Sequence, residues 1–147
     1  EYQYVTANYL KAMQSYLKDS DLPKLEQLVV TKSWWDTVDI LDRVVGSLVY
    51  EKQELEKIIL QWSLSDNIWL RRIAIDHQLL RKEKTNVQLM EKILLHNLNQ
   101  TEFFINKAIG WALRDYSKTN PEWVASFIEK NKERMAELSI KEASKYL

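Results

Sequence analysis

Apolar residues recur along this chain at helical spacing. Trp34, Val38, Leu41, Val45 and Leu48 follow the i, i+4, i+7, i+11, i+14 pattern of a buried helical stripe. Trp35 and Asp39, four apart, fall on a different face, with Asp42, Arg43 and Gly46 further along it. An indole beside a carboxylate off the core stripe is a costly surface, and such a pair can recognise a cation. The same periodicity predicts helices at about 2–17, 21–31, 33–50, 52–62, 65–81, 85–97, 101–117, 120–132 and 139–146.

Capping chemistry supports several of these starts. Ser33 stands three residues before Asp36, and Ser139 three before Glu142, as in a capping box. Asn120 precedes Pro121, a capping side chain followed by proline at the first helical position. Ser65-Asp66 and Thr101-Glu102 put an acceptor and an acid where the helix dipole favours them. The longer helices open at Ser33, Ser65 and Thr101, and their partners near Leu22, Lys52, Asn86 and Pro121. Helix pairs recurring every thirty-odd residues predict an all-α, HEAT-like helical-repeat solenoid, one domain over residues 1–147. In such an array the longer helices form one layer lining a concave surface, with Trp35, Asp39, Arg72, Trp111 and Arg114 on it.

Composition agrees with helices. The 147 residues include two Gly and two Pro, too few for a sheet-and-turn architecture. No Cys is present, which excludes disulfides, thiolate metal ligands and a cysteine nucleophile and fits a reducing, cytoplasmic setting. No apolar run reaches membrane-spanning length, so no membrane is expected as a partner. The formal net charge is zero, although residues 1–63 carry 7 basic and 10 acidic groups and residues 64–121 carry 9 and 6. A typical nucleic-acid binder is more basic than this.

Two further constellations lie on the predicted layer. In Ser65–Arg72, Trp69, Ile73 and Leu80 face inward, and Arg72 stands one turn before Asp76, where an ordinary ion pair is the simple alternative to a functional role. In Phe103–Arg114, Lys107, Trp111 and Arg114 share a face at i, i+4, i+7. Gly110 sits mid-helix beside them at a cost of about 1 kcal/mol against Ala, so either a neighbouring helix or a ligand approaches closely there. Trp34, Trp62, Trp69 and Trp123 are assigned to packing. His77 and His96 lie on different helices without acidic ligands at metal spacing, so no metal site is expected. Asp39 has its own simple alternative, a pair with Arg43 one turn on.

The segments Lys32–Asp39, Ser65–Arg72 and Phe103–Pro121, together with the Leu138–Ala143 ending, resemble the AlkD-like DNA alkylation repair glycosylases. The resemblance runs over nearly the whole chain and suggests about the C-terminal two thirds of a longer member, with N-terminal helix pairs absent. It implies hydrolysis of the glycosidic bond of N3- and N7-alkylated purines in base-excision repair. It places the catalytic aspartate on Asp39, its aromatic neighbour on Trp35, the arginine of the next repeat on Arg72 and the Gly-Trp tryptophan on Trp111. Lys107, Arg114, Arg71 and Lys118 become the expected contacts to double-stranded DNA. No cofactor is implied. An exposed N-terminal edge would offer a surface for oligomerisation.

The chemistry is coherent with these residue types. Alkylation puts a positive charge on the purine and makes it a good leaving group. The sugar it leaves is oxocarbenium-like, the kind of transition state that carboxylates stabilise. Indoles at Trp35 and Trp111 attract cations by roughly 1–2 kcal/mol when desolvated. Arg72 can hold a phosphate by a bidentate contact and fix the register of the sugar. The alternative is a non-enzymatic helical-repeat scaffold binding protein or nucleic acid through its concave face. The enzyme requires Trp35, Asp39, Arg72 and Trp111 around one cleft.

Overall fold

The computed structural model describes residues 2–31 and 34–147, residues 2 and 3 by backbone alone. The expected Ser33 cap and Lys32 of the first motif lie outside the described residues. Nine α-helices run through the described residues: α1 (Tyr2–Ala12), α2 (Leu22–Val30), α3 (Trp35–Val49), α4 (Gln53–Trp62), α5 (Ile68–Asp76), α6 (Val87–His96), α7 (Phe103–Ser117), α8 (Pro121–Asn131) and α9 (Glu137–Ala143). All nine expected helices are present, with corrected ends. No helix among them is long and apolar enough to cross a membrane.

The corrections follow from local chemistry. The first helix stops at Ala12 and continues as a short 3-10 turn over Gln14–Tyr16. Asn67, not Ser65 or Asp66, caps α5: its Oδ1 accepts from the backbone N–H of Trp69 at 2.9 Å and of Leu70 at 3.2 Å. Ser65 Oγ instead accepts from the Asn67 N–H at 3.0 Å and shapes the approach. α5 also ends five residues early. Leu80, expected inward, has a left-handed backbone (φ 68°) and is exposed, because the helix that would have turned it inward has already stopped. Asn120 caps α8 as expected, accepting from Trp123 N–H at 3.1 Å. α7 starts at Phe103 with no side-chain cap from Glu102. Ser139 does not cap α9. It lies inside that helix, buried, and its Oγ donates to the Asn106 carbonyl at 2.7 Å.

The chain forms two compact units, residues 1–77 and 78–147. In the first, α3 is central and packs against α1, α2, α4 and α5. Val38, Leu41, Val45 and Leu48 of the expected stripe are buried there with Val29, Ile59 and Ile73. Trp34 is not. It stands before the first helical residue with extended backbone (φ −135°, ψ 164°), so the helical period does not carry back to it, and it is 56% exposed. Trp62 is buried, and its indole N–H donates to Glu26 Oε1 at 2.6 Å, tying α4 to α2. In the second unit α7 packs against α8 and α9 around Ile105, Ala108, Leu113, Val124 and Ala143. Trp123 packs between Tyr116 and Phe127, with ring centroids 5.7 and 5.4 Å away.

Each unit uses its glycine for a close helix crossing. A Cβ on Gly46 would stand 2.1 Å from the His77 carbonyl oxygen at the end of α5. One on Gly110 would stand 2.6 Å from Glu142 Cβ and 3.3 Å from the Ser139 carbonyl of α9. The obstacle at Gly46 is backbone and cannot swing aside. Gly46→Ala is therefore expected to destabilise the protein by about 2–3 kcal/mol, even though Ala favours a helix by about 1 kcal/mol. Urea unfolding against the exposed control Ser47→Ala checks this. A Gly46→Ala variant as stable as the wild type would contradict the close contact.

Candidate active site

Trp35 and Asp39 occupy successive turns of α3. Trp35 is 46% exposed, so its indole is presented to solvent. The Asp39 side chain is 24% exposed, and that of Arg72, on α5, is 2% exposed. Arg72 Nε donates to Asp39 Oδ1 at 2.9 Å and Nη2 donates to Oδ2 at 3.1 Å, a two-point fork across the α3–α5 contact. This settles two expectations. Asp39 pairs with Arg72 and not with Arg43, whose Nε lies 3.5 Å from Asp42. Arg72 makes its fork to Asp39 and not to its helix neighbour Asp76. The edge of Arg72 that carries Nε and Nη2, which a bidentate phosphate contact would use, holds the Asp39 carboxylate in this structure.

Two more carboxyls stand behind the pair. Asp42 and Asp76 are 3% and 1% exposed, and one oxygen from each lies with one from Asp39 inside a 4.8 Å group. Burial pushes the Asp42 carboxyl well above the usual carboxylate range. The charges of Asp76 and Asp39 push the same way, against the pull of Arg43 and Arg72. Burial alone would disfavour the charged Arg72, but the Asp39 hydrogen bonds and the charges of Asp76, Asp39 and Asp42 outweigh it and raise its proton affinity. These three aspartates are the group among the described residues close enough to share a cation. Arg72 already supplies a positive charge to that group, and burial favours a neutral Asp42. The donor set therefore suits an internal ion-pair network better than a metal ion.

At the N-terminal ends of the same two helices, Trp34 and Trp69 meet edge-to-face, centroids 5.8 Å apart. Arg71 is half-buried beside Arg72. His77 is buried, its Nδ1 2.7 Å from the Ala74 carbonyl, and His96 is exposed on α6.

In the second unit, Lys107, Trp111 and Arg114 follow one face of α7. Lys107 Nζ donates to Glu142 Oε1 at 2.8 Å and lies 5.8 Å from the Trp111 ring centroid. Arg114 Nη1 donates to Glu142 Oε2 at 3.0 Å. The Lys107 hydrogen bond is the chief cause holding the Glu142 carboxyl below its ordinary value, with the charges of Lys107, Lys145 and Arg114 adding to it against burial. Lys118 is exposed, with its ammonium 5.1 Å from the Tyr146 ring centroid. Gly110 meets a helix, not an open space. Glu142, expected in a cap, is instead the partner of these cations. Nothing local distinguishes it from the other acids of the C-terminal segment.

The sequence matches the family described as DNA alkylation repair enzyme over residues 1–147. The chain belongs to that family. A solved structure described as a predicted DNA alkylation repair enzyme from Enterococcus faecalis is 37% identical, with a TM-score of 0.90, over 99% of this chain and 68% of that one. No curated protein matches the sequence. Membership of the DNA alkylation repair enzymes gives the chain a role in the repair of alkylated DNA, with DNA as the substrate, and an all-α helical-repeat fold.

The aspartate network of this repair-family member has a pH signature. The folded state binds the Asp42 proton more tightly than the unfolded chain does. The resulting stabilisation is complete below the unfolded carboxyl value of about 3.9 and is lost as pH rises through the raised folded value. Asp42→Asn, which mimics the neutral acid, should therefore gain stability relative to wild type as pH rises. Urea denaturation between about pH 4 and pH 9 measures the gap. A gap that stays flat across that range would contradict the raised proton affinity of Asp42.

Proposed function

We propose that the chain is a DNA glycosylase that hydrolyses the N-glycosidic bond of cationic N3- and N7-alkylated purines in base-excision repair. The observation that carries this reading is the Asp39 carboxylate. Buried Arg72 locks it by both oxygens, it keeps a quarter of its side-chain surface open to solvent, and an exposed indole stands one turn before it. A carboxylate held in one orientation before the reaction stabilises developing positive charge without first reorganising.

As the C1′–N bond lengthens, positive charge moves from the alkylated base to the sugar and the base departs neutral. Asp39 faces that charge and accepts a hydrogen bond from the attacking water. Trp35 holds the cationic base by its π face. Arg72 serves as the positioning residue for Asp39. Trp111 enters through the family resemblance, as do the DNA contacts of Lys107, Arg114, Arg71 and Lys118. The work of gripping phosphates falls to those residues once Arg72 is committed to Asp39.

Release of 7-methylguanine from methylated duplex DNA, followed by chromatography of the freed base, tests the proposal. Asp39→Asn should reduce single-turnover release by roughly a hundredfold or more. Equal accelerated release by the variant and the wild type would remove Asp39 as the catalytic carboxylate, and release by the wild type no faster than from protein-free DNA would remove the enzyme and leave the binding scaffold. Selectivity provides a second check. Since charge on the base drives the reaction, a duplex carrying a neutral lesion should release its base far more slowly than one carrying 7-methylguanine. Equal rates would show that lesion charge is not what the site uses.

A further inference from the structure

Four charged side chains meet where α7 crosses α9. Lys107 and Arg114 each donate to a different oxygen of Glu142, at 2.8 and 3.0 Å, and Lys145 Nζ lies 3.7 Å from the second oxygen. The Glu142 side chain is 12% exposed, while Lys107 and Arg114 keep 24% and 30% of theirs. Three positive charges around one negative charge leave a local excess, on a chain whose formal net charge is zero. A phosphodiester presents the same charge and much the same oxygen geometry to an ammonium and a guanidinium as a carboxylate does. One hydrogen bond uses only a fraction of the donors that Lys107 and Arg114 carry.

The helix crossing has supports besides these charges. Gly110 already lets α9 approach until a Cβ would stand 2.6 Å from Glu142 Cβ, and Ser139 Oγ pins the crossing by its bond to the Asn106 carbonyl. Ion pairs this close to solvent also add little to stability. The acid is therefore better explained by what it does to the two cations than by what it does for the fold.

We propose that Glu142 is an internal counter-ion seated on a phosphate-binding pair. Lys107 and Arg114 bind a backbone phosphate of DNA. In the free protein Glu142 occupies and orients them, and it competes with the phosphate when DNA arrives. Glu142 thereby sets the affinity of the site. This rests on the DNA-directed function proposed above.

The experiment is equilibrium binding of a short undamaged duplex by the 147-residue chain, by Glu142→Gln and by Glu137→Gln, across a salt titration. Glu137 is an exposed acid on the same helix and controls for a simple change in net charge. Glu142→Gln should bind roughly three- to tenfold more tightly than wild type at low salt, with a log–log salt slope steeper by about 0.9. Glu137→Gln should stay within about twofold of wild type, as expected for a charge outside the contact. Affinity of Glu142→Gln no higher than that of Glu137→Gln would overturn the proposal. In the unaltered protein, the Glu142 carboxyl carbon and the Arg114 side-chain N–H resonances should shift as the duplex is added. Resonances that stay in place while the duplex binds would overturn it without any variant. Binding without enhancement removes the counter-ion alone. Absence of binding by all three proteins removes the DNA reading and the counter-ion together.

Discussion

A guanidinium with almost no access to water must be answered by negative charge inside the protein. Arg72 is in that position, and the first unit is arranged around the answer. Transfer of an unpaired charge out of water would cost many kcal/mol, and the two-point fork to Asp39, with the charges of Asp76 and Asp42 behind it, offsets that cost. That fork fixes the carboxylate. Asp42 and Asp76 complete the surroundings, and burial, with the neighbouring carboxyls adding to it, raises the proton affinity of Asp42. The Gly46 crossing makes the arrangement possible, because no side chain larger than hydrogen lets α3 come so near the end of α5.

The second unit solves a related problem with the roles reversed. Here a carboxylate, Glu142, is the more enclosed partner, and the cations Lys107 and Arg114 keep part of their surface in water. An enclosed arginine steadying a half-open carboxylate suits stabilisation of a cation. An enclosed carboxylate steadying half-open cations suits capture of an anion. Both needs arise in the glycosylase proposed above, which would hold a polyanionic backbone while a sugar becomes electron-poor.

The helices were legible in the sequence because their information is local. Apolar residues at helical spacing, the Asn120-Pro121 start and the recurrence of helix pairs each depend on residues a few positions apart. Errors fell where a signal was extrapolated past its source. The apolar period runs back to Trp34 although α3 begins one residue later, and on to Leu80 although α5 has ended. Ser139 followed three residues later by glutamate has the appearance of a cap, whereas burial against α7 decides its place. Of the site, the residue types and their numbers could be named from the motifs and the family likeness. Their partners could not.

The sequence by itself determined that this chain is helical, that its helices come in repeated pairs, and that Trp35 and Asp39 share a face of one of them. These follow from propensity and periodicity, which act over a single turn. Only the tertiary structure decided that Arg72 makes its two-point fork to Asp39, that Asp42 is enclosed with two other carboxyls, and that Glu142 lies on Lys107 and Arg114. Those pairings join residues about thirty positions apart. They are set by how closely two helices can approach and by the need to answer every buried charge, and neither quantity is written in any one segment.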